Sequence, residues 1–208
     1  MVNIKEMPYS KKYATVLDTV KLVETFVPPF IQQHLGEEAV AELQSIWQEG
    51  IKPIPEDASD EEKYEVAYGN FIWMAKNDIS FVRGRMGEEG VEKFKRAEVE
   101  ALKKENASPA LLILKLVRAI SPGSAFTMTA KQMAYQMQWI GPFSVSELSR
   151  QRIVCNLPSC KMLEYPDAED LCLIGCQSIY PMWMSEQLKV KMEANRQGNS
   201  CTITITPL

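Results

Sequence analysis

The chain has 208 residues, 46% hydrophobic and 24% charged, with a formal net charge of −4. That composition suits a globular protein with one substantial core and gives no general electrostatic pull on nucleic acid, whose binding draws on Lys and Arg. The longest apolar run, "LLILKLV" at 111–117, is interrupted by Lys115 and is far too short to span a bilayer.

The opening stretch "MVNIKEMPYSKKYATV" lacks the apolar core of a signal peptide, so a cytoplasmic location is expected. "KYATVLDTVKLVETFVPPFIQQHLG" carries Val16, Val20, Val23 and Val27 at helical spacing, and Pro28 and Pro29 are expected to break or kink that helix. "EEAVAELQSIWQEGI" predicts a second helix. The loop "KPIPEDASDEE" follows, with Ser59 or Asp60 as a cap for the next helix. That helix, "EEKYEVAYGNFIWMAKNDISFVRGRMG", is apolar nearly all round. "EEGVEKFKRAEVEALKKE" then reads as a helix with a solvated outer face.

The segments "FIQQHLGEEAVAEL" (30–43) and "FVRGRMGEEGVEKF" (81–94) match in register at Phe, Gly, Glu, Glu and Val. Gly36 and Gly87 can take the left-handed conformation that ends a helix, and each Glu pair then opens the next one. Two helix–turn–helix hairpins are predicted, arising by duplication or by convergence on good turn chemistry.

"SPALLILKLVRAISPG" predicts a further helix, stopped by Pro122 and Gly123. "SAFTMTAKQMAYQMQWI" and "SELSRQRIVCN" read as strands. A helix over roughly 167–186 is expected to start from Asp167 as cap. "EQLKVKMEA" and "SCTITIT" alternate as a strand pair joined by "NRQGNS". The prediction is a single α+β domain over 1–208. Helical hairpins fill 1–123, and an antiparallel sheet with one helix packed on it fills 124–208.

Four of the five cysteines fall within 151–180, at C-x4-C-x11-C-x3-C. Cys155 ends a strand, Cys160 follows a loop, Cys172 and Cys176 share a helix face, and Cys201 arrives on the core side of the last strand. In a reducing compartment clustered thiols point to metal or catalysis rather than disulfides. An all-sulfur set suits zinc or an iron–sulfur cluster and excludes magnesium and calcium. Buried free thiols and a redox or nucleophilic role are the alternatives.

The hairpin "VRGRMGEEGVEKF", the strand "IVCNLPSCKM", the helix "LCLIGCQSIYPMW" and the strand "GNSCTITIT" together resemble the L-2-amino-thiazoline-4-carboxylic acid hydrolase-like family, from about residue 66 onward. The last three elements are more distantly similar to vinyl-reductase-type small-molecule-binding domains. That likeness implies zinc ligation by Cys172 or Cys176 together with Cys201, beside a ligand pocket. The chain has extra cysteines and no Glu-x-x-Cys before its last strand. The family name implies hydrolysis of a small cyclic amidine or amide, with no catalytic signature to carry over.

Asn70, Trp73 and Asn77 form one stripe of the apolar helix, either lining a substrate pocket or bonding to neighbouring backbone. Asp78 and Arg83 are candidates for an ion pair. "QMAYQMQW" and "PMWMSEQL" offer adaptable apolar walls for a pocket or a core. His34, the one histidine, sits near a helix end and reads as a cap, which disfavours a Ser-His-Asp triad. No G-x-S-x-G, P-loop or G-x-G-x-x-G occurs. The expected partner is a small-molecule ligand, read by an enzyme; the alternative is a non-enzymatic sensor or interaction module with a structural zinc or only buried thiols. Nucleic acid and membrane are not expected, and self-association into a homo-oligomer is left open.

Overall fold

A computed structural model describes residues 4–105, 117 and 119–208. It is an α+β fold: helices first, then a four-stranded antiparallel sheet. Helix α1 (Tyr9–Leu35) and α2 (Glu37–Gly50) form the first hairpin. Between them Gly36 takes φ 88°, a conformation that glycine adopts without the clash of a Cβ. Helix α3 (Asp60–Glu105) repeats the device at Gly87, where φ 65° and ψ −167° divide it into limbs 60–86 and 88–105. The sequence echo therefore corresponds to two turns of the same kind. Ser59 caps α3 as expected. Its hydroxyl accepts from the Glu62 amide, and the Glu62 carboxylate accepts from the Ser59 amide and hydroxyl.

Pro28 and Pro29 do not end α1, contrary to the sequence expectation. They withdraw the donors that would reach the carbonyls of Glu24 and Thr25, but both of those residues are exposed and can turn to water. Val23, Val27, Phe30 and Ile31, buried on either side, hold the helix to its neighbours.

The segment expected as a first strand is helix α4 (Pro122–Gln136). Phe126, Ala130 and Ala134 recur every four residues and are buried. Thr127 and Thr129 are satisfied within the helix, donating to the carbonyls of Gly123 and Ala125. A 3-10 turn, Met137–Ile140, leads into the sheet. "SELSRQRIVCN" is two strands rather than one: β1 (Ser144–Leu148) and β2 (Ile153–Leu157). The turn between them is tied by the Ser149 hydroxyl, which accepts from the Arg152 amide. The helix expected at 108–121 lies largely outside the described residues.

After β2 a 3-10 turn, Lys161–Glu164, precedes a continuous helical segment, α5, over 169–188. Asp167 is not its cap: it stands outside at φ 59°, and Ala168 occupies the cap position. Much of α5 is wound as π-helix, over Cys172–Ile179 and Met184–Leu188. Such winding often marks functional positions. Leu188 closes this helix rather than opening a strand, and Lys189 at φ 53° turns the chain into β3 (Val190–Gln197). Gly198 turns the hairpin to β4 (Ser200–Pro207).

The sheet order is β1-β2-β4-β3. Its inner face packs with Phe126, Ala130 and Ala134 of α4 and with Met184 and Leu188 of α5, so two helices cover it instead of one. A larger core joins α1, α2 and α3 to the turn before β1 and to α5. Met137, Phe143, Trp183 and Cys201 border both clusters. No helix among the described residues is long and apolar enough to cross a membrane.

Candidate functional site

The elements deliver the five cysteines unequally. Cys155 lies mid-face on β2, opposite Val145 and Ile203, in the sheet core. Burial alone pushes its thiol up to about 11, and no other cysteine contributes. The remaining four converge. Cys160 caps the 3-10 turn after β2, Cys172 and Cys176 come from the π-wound start of α5, and Cys201 opens β4 opposite Leu157 and Arg196. All six pairings among these four are close enough for one thiolate to feel another. All five thiols are free.

Burial raises Cys160, Cys176 and Cys201, with Cys201 reaching about 11 and Cys176 lying far above the ordinary thiol range. At neutral pH these groups hold their protons. Three sets of polar groups stand against these sulfurs. The backbone N–H groups of Met162 and Leu163 donate to the Cys160 sulfur. Arg196, held by Glu169 and by the carbonyl of Gly198, feels Cys172 and Cys160. The Gln177 side chain donates to Cys172 Sγ across 3.8 Å.

A fourth neighbour was not legible in the sequence. Tyr68 is fully buried and stacks among Tyr64, Phe71, Trp139 and Tyr165. Its hydroxyl has no hydrogen-bond partner among the described residues. Burial raises its pKa far above the usual phenol range, and Cys160 and Cys176 add to the rise. A buried hydroxyl without a partner costs about 1–3 kcal/mol.

Beside the thiols is a partly open cavity of about 100 Å³, bordered by α1, α3, Trp139 and α5, and Cys176 belongs to its wall. Its lining is mostly apolar, with Phe26, Phe71, Phe94 and Trp139, but Asp78, Glu98 and Tyr180 also face it. Asp78 is 1% exposed and accepts a hydrogen bond from Trp47 Nε1 at 2.7 Å. Burial lifts its carboxyl well above the usual range, against the Trp47 bond and with help from Glu98. Glu98 keeps part of its surface exposed, and the burial of its carboxyl pushes it up to about 7. Tyr180, itself raised by burial, feels both Cys176 and Glu98, linking the acid side of the cavity to the thiols.

Asn70, Trp73 and Asn77 stand elsewhere. The Asn70 amide donates to the carbonyl and accepts from the N–H of Lys52, Trp73 Nε1 donates to Ile46 O, and Asn77 donates to Trp73 O. The stripe thus ties α3 to the end of α2, and the cavity uses the next face of the helix, with Phe71, Ala75, Asp78 and Ile79. Arg83 pairs with Asp170 and Glu88, not with Asp78. His34 is exposed against Phe30 in the last turn of α1.

One signal for the cavity was present in the sequence: Asp78 stands in a helix apolar nearly all round. Glu98 gave none, because "KRAEVEALKKE" reads as a solvated face. Among the described residues no three His, Cys, Asp or Glu side chains stand as a ready-made metal-ligating group. No family model matches the chain, and neither a curated protein nor a solved structure proves similar to it.

Proposed function

We propose that this chain binds a soft metal ion, zinc, or an iron–sulfur cluster through Cys160, Cys172, Cys176 and Cys201, next to a small-molecule cavity. The observation that carries this reading is that Cys176 belongs to both features: it couples to the three other thiols and it lines the cavity. The donor set is all sulfur, as both candidates require. The amides at Cys160, the guanidinium of Arg196 and the unpartnered Tyr68 hydroxyl would each stabilise thiolate sulfur. Loading must expel the thiol protons and turn the sulfurs from their present packing towards one point, so binding should strengthen as pH rises. A reducing compartment would keep these thiols free for that purpose.

Anaerobic purification followed by metal analysis and a visible spectrum tests the reading. Zinc or iron near one site per chain supports it, and metal-free protein that also fails to take up either overturns it. Hydrolysis of a small cyclic amide or amidine, the activity implied by the family resemblance, is proposed for the same cavity. Assay of thiazoline ring opening before and after chelation tests that step.

A second reading, a metal-free ligand sensor, is favoured by the raised thiol pKa values and by the lack, among the described residues, of a preformed ligating group. The same metal analysis separates the two.

A further inference from the structure

The acid side of the cavity has no evident part in holding a metal through sulfur. Asp78 comes from the first limb of α3 and Glu98 from the second, so the break at Gly87 is what brings two carboxyls into one apolar space. No Lys, Arg or His lines the cavity among the described residues. Among the described residues Asp78 has one hydrogen-bond donor, the neutral Trp47 Nε1, and Glu98 has neither a hydrogen bond nor an ion pair. Acids placed in an apolar hole without a cation are costly when charged and must hold protons when empty.

A cation from outside would remove that cost. A hard metal ion fits poorly, because calcium and magnesium need six or more oxygen ligands and the rest of the wall is aromatic and aliphatic. An organic cation fits both parts of the wall. Size limits it further. A cavity of about 100 Å³ is somewhat smaller than an engineered cavity of about 150 Å³ in another protein that holds benzene, so the guest has about four to six heavy atoms.

We infer that the cavity binds a small apolar primary amine as its ammonium ion, with the charged head between Asp78 and Glu98 and the hydrocarbon tail against Phe94 and Trp139. An ammonium group carries three donors, enough to bridge two carboxylates. The aromatic faces add attraction for a desolvated cation. The inference rests on the proposed function only in taking the cavity as the ligand site, and it holds whether or not the thiols carry a metal.

The test is calorimetric titration of the full chain with n-butylammonium chloride and, separately, with 1-butanol, which has the same number of heavy atoms and no charge. Butylammonium should bind about tenfold or more tightly than butanol, the gain expected of charge-assisted hydrogen bonds. Glu98→Gln and Asp78→Asn keep the shape and should each lower that preference. Equal or weaker binding of the amine overturns the inference while leaving the cavity as a ligand site. Binding of neither compound overturns the inference together with the ligand part of the proposed function. The wild-type comparison stands even if a variant fails to fold. Metal content is read independently of every one of these outcomes.

Discussion

The buried Tyr68 hydroxyl has no hydrogen-bond partner among the described residues, which costs stability. Tyr68→Phe removes that hydroxyl and keeps the ring packing. In chelated, reduced protein it should raise unfolding free energy by about 1–2 kcal/mol in denaturant titration. In metal-loaded protein the sign should reverse, because the lost hydroxyl is then a donor to sulfur. A stabilised variant in both states would mean that the hydroxyl has no role at the site.

Glu98 gives the pH counterpart. Its folded pKa is raised from 4.5 to about 7, so the native state binds more protons than the unfolded chain in that interval. The stabilisation is fully present below about 4.5 and is lost as pH climbs through 7, by up to about 3 kcal/mol. Asp78, raised in the same direction, should extend the decline. Thermal melts at a series of pH values should show this fall in wild type and a flatter profile in Glu98→Gln. Parallel profiles would contradict the assignment.

At the scale of elements, the chain relies on two glycine breaks whose conformations L side chains resist. Gly87 has φ 65°, and Gly84, three residues earlier and exposed, sits in ordinary helix with open space around it. Gly87→Ala should therefore destabilise by about 1–2 kcal/mol, while Gly84→Ala should stabilise by up to about 1 kcal/mol. Chemical denaturation of both variants checks the pair, and a neutral Gly87→Ala would show that the break needs no left-handed residue.

These same turns were readable in advance, because a Gly-Glu-Glu break closing one helix and opening another is local chemistry. The hairpin at Gly198 and the Ser59 cap were readable for the same reason. What the sequence hid was decided by tertiary surroundings. Pro28 and Pro29 are tolerated because the residues whose carbonyls they deprive are exposed. The α4 segment read as a strand, but its Phe126, Ala130 and Ala134 recur every four residues and pack on the sheet as one helix face. Asn70, Trp73 and Asn77 were visible as a polar stripe, but which face of α3 meets the cavity depends on where α1 and α5 come to rest. Cys155 could not be separated from the other four by spacing, since only the strand register assigns it to the sheet core.

Over the whole molecule, the sheet and the helical core meet along a border that includes Cys201. A site holding α5, the turn after β2 and the start of β4 together would couple the two cores, so metal loading should raise the melting temperature of the whole chain in one transition. The most direct measurement is the metal content and visible spectrum of anaerobically purified wild type, Cys155→Ala and Cys176→Ser, prepared side by side. The prediction is zinc or iron near one site per chain in wild type and in Cys155→Ala, and its loss in Cys176→Ser. A wild type that neither holds nor takes up metal, or a Cys155→Ala chain that loses it as fully as Cys176→Ser, would contradict the four-thiol site.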